Sequence, residues 1–274
     1  MENKTLDIIR LIFLSIIAVC LVIIIVVLLN KDFKFDFKES KLDKVYDESF
    51  TEEIENIDID TISSDIKLES SDTDEVKVKI YDQTDKNIEV EVNDKTLKVV
   101  NKNDTNPKYF ILSINNNPKI VITVPKDNKY NLNIKGVSSD IYTNKDLENV
   151  KIETDSGDID LKDCNELNIK SKSGDIALGK VKSLSLKTVS GDINIDKVES
   201  KLKLKTTSGD IKIKELSLTK NSSIKATSGD IVIGKVNDIY IDAKTISGDV
   251  NIKNNNHKSN IELKIETKSG DIAV

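Results

Sequence analysis

Tryptophan is absent from the 274 residues of this chain, and aromatic residues make up only 4% of it. Polysaccharide-active β-helix enzymes usually carry aromatic side chains for sugar stacking and long loops, so the scarcity weighs against that alternative. The one histidine, His257, stands in an Asn-rich segment, and no second His accompanies it. A catalytic Ser-His-Asp or Cys-His arrangement would need this histidine, and nothing in the surrounding sequence supports one. We therefore interpret His257 as a solvated loop residue and predict no catalytic residue and no enzyme.

The chain has only two cysteines, Cys20 and Cys164, and no Gly-rich phosphate loop. This excludes a disulfide framework and a Cys-x-x-Cys metal or redox site. We predict neither a metal nor a cofactor. The net charge of −6 is mixed in sign along the chain, whereas nucleic-acid-binding domains are usually strongly basic. Nucleic acid is therefore not an expected partner.

Glycine is also scarce, and seven of the ten glycines belong to one repeated tetrapeptide, Ser-Gly-Asp-Ile, in which Val250 is the only substitution at the fourth position. Successive copies lie 17, 17, 18, 20, 19 and 22 residues apart. A repeat this short cannot bury an apolar face alone, so the copies must stack as a solenoid. The repeated glycines are Gly157, Gly174, Gly191, Gly209, Gly229, Gly248 and Gly270.

Apolar residues alternate with polar ones on both sides of each glycine, as at Ile169, Ile176 and Leu178 around Gly174. This period of two predicts strand, turn and strand, with one face buried. A further apolar position seven residues after the glycine, occupied by Cys164 in the first copy, closes the coil as a small core hydrophobe. The predicted fold is all-β, a parallel β-solenoid (β-helix) of about 18-residue coils.

The turn itself has a simple chemical explanation. Glycine adopts positive φ without strain, so we expect the left-handed αL conformation there. The aspartate that follows can accept backbone N–H bonds around the corner, and a calcium-binding carboxylate ladder is the alternative. Turn capping is favoured because the Gly-Gly-x-Gly-x-Asp nonapeptide, which is typical of calcium-binding β-rolls, is absent from the sequence. These aspartates are Asp158, Asp175, Asp192, Asp210, Asp230, Asp249 and Asp271.

A lysine ladder is predicted on the outer face, four residues before the glycines, with Glu153 and Glu266 at its two ends. Ammonium groups at strand spacing repel one another unless they are solvated or face an anion. A solubilising surface explains the pattern, and a polyanion-binding surface is the functional alternative, with a wall polymer or anionic headgroups as ligand. The ladder consists of Lys170, Lys187, Lys205, Lys225 and Lys244.

Nineteen uncharged residues, 11–29, are long enough to cross a bilayer as a helix. We predict a short N-terminal segment (1–10), a transmembrane helix (11–30) and a polar stalk or linker (31–55). A lipoprotein-type cleavage before Cys20 is the weaker interpretation, because the apolar run continues past it. Lysines on both sides of the span leave the orientation open by the positive-inside rule.

Residues 56–136 are predicted as irregular coils or a small sheet that caps the regular solenoid of residues 137–274. Ser64 and Ser139 stand where glycine stands later, and four further strands are predicted at 76–80, 88–92, 97–100 and 120–124. At the other end the sequence stops at Val274, soon after the last glycine. We expect an uncapped parallel edge there, which favours either end-to-end self-association or an internal loop that covers the edge.

A single N-terminal span followed by Ser-Gly-Asp-Ile coils resembles the bacterial family of putative adhesins, LiaG-like proteins included, over about residues 50–274. The resemblance implies a protein of the cell envelope with its body outside the membrane and no established catalysis. It transfers no functional residue. The leading hypothesis is a non-enzymatic binding or structural module at the cell membrane, with an anionic envelope polymer or another envelope protein as partner. The alternative is a cytoplasmic-side polymerising scaffold similar to bactofilins.

Overall fold

The computed structural model describes residues 42–102 and 117–274, which form 21 β-strands and no helix. Within these two ranges no helix could therefore cross a bilayer. The predicted membrane helix, 11–30, and Cys20 within it lie outside the described residues. The strands are β1 (Asp43–Phe50), β2 (Asn56–Thr61), β3 (Asp65–Ser71), β4 (Val76–Asp82), β5 (Ile88–Asn93), β6 (Thr96–Asn101), β7 (Lys119–Pro125), β8 (Asn131–Lys135), β9 (Ile141–Thr143), β10 (Leu147–Glu153), β11 (Ile159–Leu161), β12 (Cys164–Lys170), β13 (Ile176–Lys187), β14 (Ile193–Lys205), β15 (Ile211–Leu216), β16 (Ser222–Lys225), β17 (Ile231–Val236), β18 (Tyr240–Lys244), β19 (Val250–Asn251), β20 (Glu262–Glu266) and β21 (Ile272–Ala273).

Each coil contributes one strand before its turn and one after it, and the strands stack into two ladders. The leading ladder, formed by the strands before the turns, runs β5-β6-β2-β8-β10-β12-β13-β14-β16-β20-β18. The trailing ladder runs β1-β4-β7-β3-β9-β11-β13-β14-β15-β17-β21-β19. Strands β13 and β14 pass through the far corner and belong to both ladders.

The core lies between the two ladders and consists of one stack of apolar residues per inward position. Ile159 pairs with Ile176, which pairs with Ile193 in the next coil. All three are at most 1% exposed, and a fully buried side chain of this kind contributes roughly 1.5–3 kcal/mol. Cys164 pairs with Val181 at the far corner, as the repeat predicts. The all-β, parallel solenoid arrangement of the repeats is thus confirmed.

The last repeat does not lie at the end of the stack. Strands β20 and β21, from the Gly270 repeat, are inserted between the strands of the Gly229 repeat and those of the Gly248 repeat. The spatial order of the final repeats is therefore Gly229, Gly270, Gly248. The expectation of an open edge at Val274 was wrong, because the edge strands of this end are β18 and β19.

The chain makes this reversal through the segment 252–261, which accounts for the longest spacing between repeats. Within it, the Asn255 amide lies against the outer edge of β18. Its Nδ2 donates to the Ile241 carbonyl at 2.8 Å, and its Oδ1 accepts the Ile241 N–H at 2.8 Å. The Asn256 N–H donates to the Ile239 carbonyl, and the rings of Tyr240 and His257 lie 5.4 Å apart. Side chains and loop backbone therefore occupy this edge in place of a strand.

The opposite end has a similar reversal. The first repeat, β2 and β3, lies between β6–β7 and β8–β9, in register with the later coils. Beyond it the pairing becomes antiparallel, with β5 on β6, β4 on β7 and β1 on β4. Strands β4 to β7 match the four predicted strands. The linker prediction for 31–55 was wrong over Asp43–Phe50, because these residues form β1.

Candidate functional site: the turn edge and the lysine face

The seven repeated glycines all have positive φ, between 109° and 137°. These values lie beyond the αL region near 57°, so the expected αL conformation is not the one adopted. Steric crowding is the stronger constraint, since a Cβ at Gly209 would lie 2.2 Å from the carbonyl oxygen of Gly191. Glycine is therefore required because backbones of adjacent coils approach closely at the turn. Ser64 and Ser139 are not among the residues with positive φ, so those two turns differ in conformation.

The aspartates of the turns form a relay of hydrogen bonds between coils. Each backbone N–H donates to the side-chain Oδ1 of the aspartate in the preceding coil of the stack, at 2.8–2.9 Å. The relay follows the spatial order, so Asp271 bonds to Asp230 and Asp249 bonds to Asp271. In order, its members are Asp65, Asp140, Asp158, Asp175, Asp192, Asp210, Asp230, Asp271 and Asp249, and the first bond, from the Asp140 N–H to Asp65 Oδ1, is longer at 3.3 Å.

This arrangement favours capping over calcium binding. Each carboxylate except that of Asp249 accepts a backbone N–H of the next coil, so capping takes place between coils and not within one turn. Among the described residues, no group of three or more His, Cys, Asp or Glu side chains is placed to hold a metal ion. The relay can therefore be explained as a structural element without any ligand.

Hydroxyls line the inside of the same corner. The side chain three residues before the glycine donates to the carbonyl of the serine before the glycine, as Thr188 does to Ser190 at 3.2 Å and Thr206 to Ser208 at 3.0 Å. In the Gly229 repeat this position is Ala226, which has no hydroxyl. The Ser228 carbonyl consequently lacks this particular bond.

The lysine row differs from its prediction at one point. In the leading ladder the order is Glu153, Lys170, Lys187, Lys205, Lys225, Glu266 and Lys244. Glu266 was expected at the end of the row, but the inserted last repeat places it between Lys225 and Lys244. Its carboxylate lies 2.8 Å from Lys225 Nζ and 2.7 Å from Lys264 Nζ, and these ammonium groups lower its pKa to about 2.

The centre of the row carries unbalanced positive charge. Lys170 is paired with Glu153 at 3.0 Å and Lys225 with Glu266, whereas no carboxylate among the described residues lies within 4.0 Å of Lys187 or Lys205. Strand β14 presents two further lysines on the same face, and a fifth follows in the next coil. The five unpaired lysines of this central patch are Lys187, Lys201, Lys203, Lys205 and Lys220.

A shallow polar groove of about 830 Å³ runs along this face. Its lining includes amide and hydroxyl side chains such as Asn168, Ser183 and Ser185, together with the carboxylates Asp58 and Glu166. The patch lysines Lys201, Lys203 and Lys220 line one end. At the other end the amides of Asn149, Asn131 and Asn56 form a chain of hydrogen bonds at 2.8 and 2.9 Å. The sequence analysis missed this groove, because only the pairing of β2 with β8 places Asn56 beside Asn131.

The remaining candidates for chemistry have structural roles. Cys164 is 8% exposed, and burial raises the pKa of its thiol to about 12, so it remains a neutral thiol in the core. His257 is exposed on the loop that covers β18. Among the described residues, neither side chain belongs to a nucleophile–base pair.

Comparison with known proteins places this geometry in a family. The Toastrack DUF4097 model matches residues 54–274. A putative adhesin from Bacteroides fragilis NCTC 9343 has a similar solved structure, with 19% identity, a TM-score of 0.51, and coverage of 86% of this chain and 98% of that chain. A putative adhesin from Parabacteroides distasonis ATCC 8503 matches at 17% identity and a TM-score of 0.41, with 84% and 96% covered. A putative lipid-binding protein from the same strain matches at 16% identity and a TM-score of 0.36, with 84% and 96% covered. No curated protein matches the chain.

Proposed function

This chain belongs to the Toastrack DUF4097 family, and from that premise we propose that it is a non-enzymatic binding module of the cell envelope. Its N-terminal span, 11–30, anchors it in the cell membrane, and its solenoid lies outside the cytoplasm. The outer face of the leading ladder binds an anionic envelope polymer through the central lysine patch. The observation that carries the proposal is that no carboxylate of the described residues lies within 4.0 Å of these lysines, whereas most other lysines in residues 42–102 and 117–274 have such a partner, as Lys170 and Lys214 do.

Lysines elsewhere on the surface differ from those of the central patch, and this difference supports the outer face of the leading ladder as the binding surface. Lys162, Lys180 and Lys214 lie near carboxylates of adjacent coils, at 3.1, 3.1 and 2.6 Å. Their charge is largely balanced within the protein. In the central patch, the next lysine is the nearest charged neighbour along the row, as Lys187 is to Lys205. A polymer with regularly spaced phosphates or sulfates would relieve that repulsion.

The groove supports an extended ligand over a compact one. It passes several coils, and its lining includes amides and hydroxyls that can donate to and accept from a polymer backbone. The carboxylates Asp58 and Glu166 also line it, so the charges of an anionic ligand belong at the lysine end. An extended anionic chain could follow the stacking direction, with its charges at the lysine end. Such a surface is compatible with the adhesin name of the similar Bacteroides fragilis structure.

The test is binding of the full chain to poly(glycerol phosphate) and, separately, to phosphatidylglycerol vesicles over a series of salt concentrations. The test variant combines Lys187→Gln, Lys203→Gln and Lys205→Gln, and the control combines Lys162→Gln, Lys180→Gln and Lys214→Gln. Exposed charge contacts contribute up to about 1 kcal/mol each, so the test variant should bind about tenfold or more weakly. Its affinity should also depend less on salt.

The control variant carries the same change in net charge and should bind like the wild type. If both variants lose the same affinity, net charge alone explains the effect, and the central lysine patch is not the binding site. Binding to vesicles but not to the polymer would contradict a polymer ligand and identify lipid headgroups as the ligand. Protease digestion of the solenoid on intact cells, compared with lysed cells, tests the location of the body, and protection until lysis would contradict an envelope-exposed module.

The alternative of a polymerising cytoplasmic scaffold has less support. Growth of a filament by end-to-end stacking needs a pairing edge at both ends of the solenoid. At the N-terminal end the outermost strands β1 and β5 pair antiparallel to their neighbours, so their outer edges do not continue the parallel pattern of the coils. At the other end Asn255 occupies the edge of β18, so among the described residues the short strand β19 offers the remaining edge there.

A further inference from the structure

One stretch of strand edge remains open at the C-terminal end of the stack, on the trailing ladder. Strand β19 pairs with β21 on one side, and no strand of the described residues pairs with its other side. Val250 is 42% exposed and Ile246, at the adjoining turn, is 81% exposed. An open strand edge next to exposed apolar side chains is a pairing site for another strand.

The backbone of this segment is already oriented for pairing. The bonds to β21 involve the Asp249 carbonyl, the Asn251 carbonyl and the Lys253 N–H. Because successive backbone groups of a strand point in opposite directions, the N–H and C=O groups of Val250 and Ile252 face outward. In inner coils the equivalent N–H donates to the next coil, as Ile231 does to the Asp271 carbonyl at 2.9 Å.

The side chains make the segment complementary to itself in the antiparallel direction. Residues 249–253 read Asp-Val-Asn-Ile-Lys. If two copies pair about a dyad through Asn251, Val250 lies opposite Ile252 of the second copy, and these two residues exchange both backbone bonds. Asp249 then lies opposite Lys253 of the second copy, and opposite charges at directly paired positions stabilise a sheet. The Asp249 carboxylate, which ends the relay, thereby gains a partner.

We propose that the protein forms a closed two-fold dimer by antiparallel pairing of residues 249–253 from two copies. The association is closed because a dyad pairs the same surface of both copies, so neither copy keeps a free 249–253 edge. At this end of the stack, the Asn255-blocked edge of β18 offers no second pairing edge to a third copy. This dimer is independent of the proposed anion binding, since the central lysine patch lies on the other ladder.

A charge exchange tests the pairing with the full chain, by sedimentation velocity at low salt. Asp249→Lys and Lys253→Asp each place like charges opposite one another, so each should shift the protein towards monomer, whereas the double variant restores opposite charges and should dimerise like the wild type. A monomeric wild type, or single variants that dimerise as well as the wild type, would refute the proposal. Species larger than a dimer would also refute it, because they require a second pairing edge.

A cysteine pair gives a second, independent readout. At the dyad, two Asn251 residues would form a pair without mutual hydrogen bonds, with Cα atoms about 4.5 Å apart, which is within the range of a disulfide. In a Cys20→Ser background, Asn251→Cys should form a covalent dimer under mild oxidation. Asn194→Cys is the matched control, since Asn194 pairs with Lys212 in the interior of the stack. Equal crosslinking of both variants would show random collision and refute the dyad.

Discussion

The Asp192 backbone N–H donates to the Asp175 carboxylate at 2.8 Å, and the two residues belong to different coils. The same bond recurs from coil to coil, so the repeated aspartate connects adjacent repeats at the point where each chain turns. The position therefore contributes to the nearest-neighbour interaction that stabilises a repeat protein, and not to a single turn.

Removal of one relay carboxylate should weaken one interface between coils. Asp192→Ala leaves the Asp210 N–H without its protein acceptor, so we expect a loss of about 1 kcal/mol in the free energy of unfolding. Asp192→Asn, which keeps an oxygen acceptor, should lose less. Urea unfolding followed by circular dichroism measures both.

Asp249→Ala provides the control for the relay, measured at concentrations that favour the monomer. No backbone N–H of the described residues donates to the Asp249 side chain, because its coil is the outermost one. Its unfolding midpoint should stay close to that of the wild type. If both alanine variants lose the same stability, local turn conformation and not the bond between coils determines the effect.

A methyl group at a turn glycine should be poorly tolerated. In Gly209→Ala the Cβ would lie 2.2 Å from a backbone oxygen at a φ of 109°, so the coils would have to separate. We expect a loss of at least about 2 kcal/mol in the free energy of unfolding. Gly136→Ala is the matched control, since its Cβ would meet the Ser139 side chain at 3.1 Å and its φ is not positive. Thermal melting of the two variants should separate them clearly, and similar midpoints would contradict the crowding argument.

The missing corner hydroxyl offers a stabilising substitution. Ala226→Thr introduces a hydroxyl that can donate to the Ser228 carbonyl, as Thr206 donates to Ser208 in the preceding coil. The gain should be up to about 1 kcal/mol, and Thr206→Ala should lose a similar amount. Differential scanning calorimetry of both variants gives opposite shifts in Tm if the bond is responsible. A fall in Tm for Ala226→Thr would show that the corner has no room for the larger side chain.

Glu266 makes stability dependent on pH in the acid range. Lys225 and Lys264 lower its pKa from 4.5 to about 2 in the folded state. A carboxyl with a lowered pKa contributes stability above its unfolded pKa, and that contribution disappears as the pH falls from about 4.5 towards 2. Glu266→Gln should therefore reduce the loss of stability over this interval. Glu262→Gln, on the same strand, serves as control, and an unchanged pH profile for Glu266→Gln would contradict the role of the lysine pair.

The regular half of this fold could be predicted from sequence because each position of the coil has one physical requirement. Alternation identifies the strands, and the glycine marks the turn, so residues as distant as Ile159 and Ile231 were correctly aligned on one inward stack. The order of the last repeats could not be predicted in this way. Every coil presents the same edge pattern, so the repeat itself contains no preference for the Gly248 repeat over the Gly270 repeat as the neighbour of the Gly229 repeat.

The signals that could have revealed the reversal were weak but present. The spacing of 22 residues before Gly270 and the run of asparagines at 254–256 mark an insertion long enough to pass over a coil. The same limitation affected the candidate site. Within the regular coils the lysines stack in the order of the sequence, whereas Glu266 lies between Lys225 and Lys244 because of the reversal.

The inserted last repeat changes how this solenoid can be assembled and pulled apart. In an ordinary solenoid the terminal coil has one neighbour and frays first. Here β20 and β21 pair with a strand on each side. Strands β18 and β19 pack against β20 and β21, which follow them in sequence, so they can dock only after β20 and β21 are in place. The C-terminal end of the stack is therefore complete only when the outer strands β18 and β19 dock on β20 and β21. In the reverse direction, β18 and β19 must detach before the final strands β20 and β21 can separate from the stack.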